Sequence, residues 1–210
     1  MARTDISVCS RALVGLGALP INSFQDATDT AKICATIYPE LKEGIISKYP
    51  WRSFMTKKEL SRDNSGPIGE WQYSFIIPGE AIGLAHAVFT STAGKIGTGR
   101  FEVFGRRVYS DMPRLWMDFL TLKPEAEWQA YFAELVAAAL CSEIAFAVTD
   151  QQSTADAWTY KAYGTPSEGG MGGLMGQATI LDAQGSGNIG LQNGAFIDAR
   201  FGSVYPGDTF

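Results

Sequence analysis

The chain has 210 residues, of which 46% are hydrophobic and 19% are charged, a composition typical of a folded globular protein. Its formal net charge is −5 at pH 7, which argues against a surface built to grip nucleic acid phosphates. Cys9, Cys34 and Cys141 are far apart in the sequence and form no CxxC pair. We therefore expect reduced, buried thiols in a protein that folds in a reducing compartment.

The amino-terminal sequence does not resemble a secretion signal, because Asp5 is acidic and no uninterrupted apolar core follows it. The most apolar stretch, residues 135–148, is interrupted by Ser142 and Glu143. It is shorter than the roughly 20 apolar residues that a membrane-spanning helix needs. We therefore expect no membrane helix and a protein that folds in a cytoplasm.

Two helices are predicted at the start of the chain. The first covers residues 5–16, with Thr4 or Asp5 capping its open amides, since apolar residues recur there at helical spacing. The second begins near residues 26–28 and ends at or before residue 49, because proline disfavours helical geometry in the residue before it. Pro39 lies inside this second pattern and predicts a kink or a break.

The stretch Ser-Lys-Tyr-Pro-Trp-Arg-Ser-Phe, residues 47–54, combines a helix stop with large aromatic side chains. Pro50 explains the end of the helix, and the change of sequence character after residue 58 indicates a transition to another kind of structure. We predict that Trp51 and Phe54 form a structural hinge by packing between the helices and the unit that follows.

The middle of the chain, residues 59–121, is predicted to be a small antiparallel β domain. Segments 70–77, 84–90 and 101–109 are rich in β-branched and aromatic residues and are separated by glycine-containing turn signals. Their order suggests a meander of consecutive strands. The stretch Gly94–Gly99 does not have the spacing of a phosphate-binding loop and is interpreted as a hairpin turn.

Helical patterns return after residue 121. A long helix is predicted over 124–148, with Pro124 at its first position, and a shorter helix over 153–163. The predicted fold class is α+β: an antiparallel helical bundle formed by 1–58 and 122–165, with the small β domain inserted into it. Residues 166–210 are predicted to be an extended, glycine-rich carboxyl-terminal arm.

The arm is dense in glycine through residue 194 and then carries aromatic side chains. Such a segment does not easily offset the entropy lost on ordering, so its aromatic residues are interpreted as anchors that dock on a neighbour. The alternative is a strand that returns to the chain's own β domain. The candidate partner-binding residues are Phe196, Phe201, Tyr205 and Phe210.

No pattern typical of a catalytic site is found. His86 is the one histidine, lies in an apolar segment and is interpreted as structural. The arginines at 100, 106, 107 and 114 favour a solvated face or an acidic partner over nucleic acid. Paired carboxylates could hydrolyse glycosides, but Glu127, Glu134 and Glu143 share one predicted helix, where such spacing usually marks a solvent-exposed face. We therefore predict no catalytic residue, no metal site and no cofactor.

The order of these motifs resembles a known family. The chain has Ser7-Val-Cys-Ser-Arg-Ala-Leu13, then Tyr49-Pro50-Trp51-Arg-Ser-Phe54, then the Ile77-Pro78 pair in the β domain. Pro124-Glu125 then opens the segment that leads to Ser142-Glu143-Ile144-Ala145. Over residues 5–163 these motifs resemble the tail tubular protein A family, the head–tail adaptors of short-tailed bacteriophages. The chain departs from the family pattern at Tyr73-Ser-Phe75 and in the glycine-rich stretch 164–194.

The resemblance implies a structural virion protein of the tail or neck that is assembled in the host cytoplasm. Such adaptors form a ring, typically a dodecamer, between the portal protein and the tail nozzle protein. DNA passes through the lumen of the ring without sequence-specific binding. Two alternatives stay open: a connector or tail-completion protein of a long-tailed phage, and a tail-associated cell-wall hydrolase that would use Glu127 or Glu143.

Overall fold

The computed structural model describes residues 3–63, 69–92 and 97–185, which form a mixed α+β fold. The helices are α1 (Asp5–Gly15), α2 (Asp29–Ser47), α3 (Ala130–Thr149), α4 (Gln152–Tyr163) and α5 (Gly173–Gln184). The strands are β1 (Met55–Glu59), β2 (Ser61–Asp63), β3 (Tyr73–Ile76), β4 (Ala81–Phe89), β5 (Glu102–Phe104), β6 (Arg107–Ser110) and β7 (Trp116–Thr121).

Both amino-terminal helices begin at side-chain caps. The hydroxyl of Thr4 accepts the backbone N–H of Ser7, and Ser7 Oγ accepts the N–H of Thr4 in return, at 3.1 and 2.8 Å. The hydroxyl of Thr28 accepts the N–H of Ala31 in the same way at the start of α2. These contacts satisfy amides that have no partner inside a helix, and they confirm the predicted starts of both helices.

The predicted break at Pro39 is wrong, because α2 continues through it from Asp29 to Ser47. Proline removes one backbone hydrogen bond. Residues on both sides of it, including Cys34 and Ile45, are buried in the helical core. Burial of these side chains outweighs the loss of a single hydrogen bond.

Helix α3 lies at the centre of the helical part and packs against each of the other four helices. The prediction that it begins at Pro124 is wrong. Residues Glu125–Glu127 form a 3₁₀ turn, and Trp128 is extended before α3 begins at Ala130. The indole N–H of Trp128 donates to the carbonyl oxygen of Lys123 at 2.9 Å, which holds this turn closed.

By length and composition α3 is apolar enough to cross a membrane, with a mean hydropathy of 1.7, and 61% of that stretch is buried inside the protein. Ser142 and Glu143 interrupt the apolar run but do not lower its mean hydropathy enough to exclude a membrane-spanning helix by composition, so the absence of a membrane helix stays a prediction. The same pattern is typical of a buried core helix.

Helix α4 confirms the prediction of a helix over 153–163. The prediction of an extended arm from residue 166 is wrong for the part that the structure describes. A 3₁₀ turn, Pro166–Glu168, leads into α5, which packs on α3 and α4 and buries Met175 and Ala178. Apart from Asp182, α5 has no charged residue, so it lacks the polar stripe that identifies a surface helix in a sequence.

The strands form two antiparallel sheets, with the orders β1-β7-β4 and β2-β3-β6-β5. The predicted segments contain β3 and β5 and overlap β4 and β6, but the predicted meander is wrong. Strand β7 lies between β1 and β4. Asp118 of β7 is therefore paired with Lys57 of β1 on one side and with Ala87 of β4 on the other. Segment 101–109 is a hairpin of two strands, β5 and β6, that turns at Gly105, whose φ is +57°.

The helices and sheets have separate hydrophobic cores that adjoin at β1 and β7. The larger core contains buried residues of α1–α5 together with Ile82 and Leu120, whereas the smaller one centres on Phe75, Met117 and Phe119. Because β1 and β7 are paired neighbours, the sheets leave and rejoin the helical part at one place. The predicted boundary at residue 58 falls within β1, and that at residue 121 coincides with the end of β7.

Candidate functional site

The turn that follows α2 places the predicted hinge residues in the core. Trp51 and Phe54 are both buried, and their rings lie 5.0 and 4.6 Å from the ring of Phe132 in α3. Trp128 packs edge-on against the same ring at 5.0 Å. The indole N–H of Trp51 donates to the carbonyl oxygen of Ile45 at 3.1 Å, so the end of α2 is tied to the turn. Pro50 is exposed beside them.

A carboxylate from α5 reaches the same turn. Asp182 is buried, and its Oδ2 accepts the backbone N–H of Arg52 at 2.9 Å while its Oδ1 accepts the hydroxyl of Tyr131 at 2.9 Å. Burial and the Asp182 carboxylate raise the pKa of Tyr131 to about 12. Asp182 therefore links three segments: the 51–54 turn, α3 and α5.

A groove opens on the outer side of this junction, between the turn and strand β4. It consists of two adjoining cavities of about 420 and 310 Å³, which share Tyr49, Pro50 and His86 in their walls. The remaining residues of the larger cavity are Arg52, Met55, Asp118 and Ala183. The groove therefore combines an aromatic and aliphatic surface with a few charged groups, as ligand and peptide sites do.

Asp118 is the one acidic residue in the wall of the larger cavity. Its Oδ1 atom is buried and accepts no hydrogen bond from the residues that the structure describes. The ammonium of Lys57 lies 3.7 Å away, too far for a hydrogen bond, and sits 3.5 Å from the centre of the Phe89 ring. Because this oxygen has almost no exposed surface, its charge is balanced by the nearby ammonium of Lys57 and not by a group in the groove.

The carboxylates considered for glycoside hydrolysis do not come together as a pair. Glu134 is paired with Arg11 at 3.5 Å, and both Glu127 and Glu143 are exposed. Glu125 binds the ammonium of Lys42 at 2.8 Å and the hydroxyl of Tyr38 at 2.9 Å. Burial raises the pKa of Glu125, but the hydrogen bonds from Lys42 and Tyr38 outweigh it and hold that pKa below its usual value.

The arginines that formed a cluster in the sequence are each engaged separately on the sheets. Arg107 pairs with Asp63 at 2.7 Å, and Arg114 pairs with Glu59 at 2.9 Å. Arg100 lies 3.8 Å from Asp111, and Arg106 donates to the carbonyl oxygen of Pro78. The structure therefore does not present them as one basic patch.

The three cysteines are free and buried, as predicted. Cys141 donates to the carbonyl oxygen of Ala12, and burial raises its pKa to about 11. The pKa of Cys9 is also raised, first by its contact with Cys34 and then by burial. The raised pKa values keep Cys9 and Cys141 protonated near neutral pH, whereas the contact with Cys9 lowers the pKa of Cys34.

Two other predicted sites have different outcomes. His86 is exposed on β4 and lines the groove rather than lying in a core. The partner-binding candidates Phe196, Phe201, Tyr205 and Phe210 lie outside the described residues, as does part of the predicted turn Gly94–Gly99. Within the described ranges, no group of three or more His, Cys, Asp or Glu could hold a metal ion.

The sequence patterns did not identify Asp182 or Asp118 as site residues. An isolated aspartate in an otherwise uncharged helix is a signal for Asp182, because a buried carboxylate needs hydrogen-bond donors. Asp118 gives no such signal, since its position in the groove depends on the pairing of β7 with two strands that are distant in the sequence.

No protein-family model matches the chain, and no curated protein matches it.

Proposed function

We propose that this protein is a structural virion component, a head-to-tail adaptor that forms a ring between a portal protein and a tail nozzle protein. In this proposal the helices form an antiparallel bundle around the ring, and the aromatic residues of 196–210 reach the portal or a neighbouring subunit. DNA passes through the lumen without sequence-specific contacts. The tail or neck of the virion is the proposed location.

The observation that supports the proposal most strongly is the insertion of the sheets at the aromatic turn. Helices α2 and α3 pack on each other, and the sheets leave between them through the paired strands β1 and β7. Trp51 and Phe54 lie at the junction between α2 and β1 and belong to the motif that resembles the adaptor family. The element order and this motif together favour an adaptor over an unrelated α+β protein.

Apolar side chains left exposed by the helices supply a second line of support. Leu19 is 85% exposed just after α1, and Ile180 is 62% exposed on α5. A closed ring joins subunits head to tail, so each subunit needs two different contact faces. Exposed apolar residues near α1 and on α5 could contribute one to each face.

Sedimentation of the protein alone and mixed with a candidate portal protein tests the proposal. The adaptor role predicts a complex that contains both proteins and several copies of this chain for each portal ring. If the chain stays monomeric at micromolar concentration with portal present, the proposal is wrong. The hydrolase alternative predicts cleavage of peptidoglycan that is lost in Glu127→Gln or Glu143→Gln; an unaltered protein without this activity eliminates it.

A further inference from the structure

The guanidinium of Arg52 has a distinct position among the arginines of this protein. Every other arginine in the described part of the chain pairs with a carboxylate, donates to a backbone carbonyl oxygen or stacks on an aromatic ring. Among the described residues, only the guanidinium of Arg52 makes none of these contacts, and it lines the larger cavity of the groove. It is therefore a charged donor that remains available to a ligand.

The backbone that carries Arg52 is nevertheless held firmly. Oδ2 of Asp182 accepts the backbone N–H of Arg52 at 2.9 Å. The indole N–H of the preceding Trp51 donates to the carbonyl oxygen of Ile45 at 3.1 Å. The turn thus fixes where the side chain of Arg52 starts, which lowers the entropy lost when that side chain binds a partner.

The walls of the groove carry a surplus of positive charge, although the whole chain has a formal net charge of −5. Arg52 lines the larger cavity and Lys48 lines the smaller one, where its ammonium lies 4.6 Å from the centre of the Tyr163 ring. The acidic residue of the walls is Asp118, and the ammonium of Lys57 lies 3.7 Å from its buried Oδ1. Two cations therefore face the groove without an opposing free carboxylate from the described residues.

The shape of the groove suits an extended segment. Its two cavities, of about 420 and 310 Å³, adjoin because Tyr49, Pro50 and His86 line both. The opposite wall includes β4, which lies at the end of its sheet and whose pairing with β7 shifts between Ile82 and Ala87. An elongated groove with an aromatic wall and a strand at a sheet edge is typical of peptide-binding sites.

We propose that this groove binds an acidic, extended segment of a partner protein. A carboxylate of the segment accepts two parallel hydrogen bonds from the guanidinium of Arg52. A neighbouring apolar side chain of the segment packs on Tyr49 and Pro50. Lys48 adds a second favourable charge. The site does not depend on the proposed adaptor role.

The same charges fit an acidic protein segment better than a nucleic acid. Binding to a nucleic acid backbone rests on a series of cations along successive phosphates. The groove supplies two, and the arginines on the sheets are engaged with their own partners. One carboxylate and one apolar side chain match the groove without further cations.

The test measures how the full chain binds a fluorescein-labelled peptide, acetyl-Glu-Phe-Glu-Phe-amide, by fluorescence anisotropy. The proposal predicts a Kd below about 1 mM at low salt. The peptide with glutamine in place of both glutamates should bind at least about tenfold more weakly, as should the acidic peptide with Arg52→Gln. Arg62→Gln is the matched control, because Arg62 stacks on Tyr73 in the other sheet. It should leave the Kd within about twofold.

A charge reversal separates a direct contact from a damaged fold. Arg52→Glu keeps the backbone N–H that Asp182 accepts, and it should prefer the peptide with lysine in place of both glutamates. Several results would overturn the proposal: no binding of the acidic peptide up to about 1 mM, equal binding of the glutamine peptide, or equal losses in Arg52→Gln and Arg62→Gln. A short duplex oligonucleotide that displaces the peptide would also overturn it, since the groove would then bind phosphates.

Discussion

Asp182 and Arg52 are separated by 130 positions, yet Oδ2 of Asp182 accepts the backbone N–H of Arg52 at 2.9 Å. The second oxygen of the same carboxylate holds Tyr131. A buried carboxylate with two donors fixes the position of α5 against the turn that carries Trp51. This contact connects the last described helix to the point where the sheets leave the helical core.

Replacing Asp182 by alanine should lower the free energy of unfolding by about 2 kcal/mol, because a buried amide and a hydroxyl lose their acceptor. Asp182→Asn keeps one acceptor oxygen and should cost less. Chemical denaturation of the three proteins gives the comparison. A loss below about 0.5 kcal/mol in Asp182→Ala would mean that water replaces the carboxylate at no cost.

Trp51→Ala should lower the free energy of unfolding by about 3–5 kcal/mol, since it leaves a large cavity beside Phe132. The matched control is Trp71→Ala, because Trp71 is only half-buried and its N–H bonds the exposed Glu102. The control should cost about 1 kcal/mol or less. Urea unfolding measures both, and equal losses in the two variants would show that Trp51 is not a core residue.

The ion pair between Glu125 and Lys42 predicts that the free energy of unfolding falls at acidic pH. The pKa of Glu125 in the folded protein lies below its ordinary value of 4.5. The ionised Glu125 therefore adds to the free energy of unfolding at pH values above the pKa that it has in the unfolded chain. This contribution is lost as the pH falls through the lower pKa that Glu125 has in the folded protein. The side chain is only 13% exposed, so solvent screens the pair weakly.

Unfolding measured from pH 7 to pH 3 should show that Glu125→Gln is less stable than the unaltered protein at neutral pH. The difference should shrink below about pH 4.5. Lys42→Met removes one hydrogen-bond donor and leaves the burial, so the pKa of Glu125 in the folded protein should rise and the loss of stability in acid should become smaller. A constant difference across the whole range would mean that the pKa of Glu125 is the same in the folded and unfolded states.

Two glycine substitutions should act in opposite directions. Gly164 ends α4 at a φ of +76°, and a Cβ there would lie 2.8 Å from Cα of Gly172. Gly164→Ala should therefore cost about 1–3 kcal/mol. Gly44 lies inside α2 with open space around it, so Gly44→Ala should stabilise the protein by about 0.5–1 kcal/mol. Thermal unfolding of both variants checks the signs, and destabilisation by Gly44→Ala would contradict the open environment described for it.

Local signals in the sequence were sufficient for the elements that are stabilised by local contacts. The caps at Thr4 and Thr28, the end of α2 before Pro50 and the extent of α4 could all be predicted. The exception is Pro39, where side chains from other helices cover α2 and keep it continuous.

The remaining elements depend on contacts between distant residues. Strand β7 is recognisable only through its pairing with β1 and β4, and α5 only through its packing on α3 and α4. The groove could not be predicted for the same reason, since Tyr49, His86, Asp118 and Ala183 come from four different segments. The aromatic core at Trp51 was predictable, because a proline followed by large rings marks the end of a helix and the start of a packed turn.

Electron microscopy of the protein alone and with a candidate portal protein tests the central claim most directly, because it counts the subunits. The proposal predicts a closed ring on the portal, with a dodecamer as the expected symmetry and an open lumen wide enough for duplex DNA. Particles of portal alone, beside a chain that remains monomeric, would contradict it.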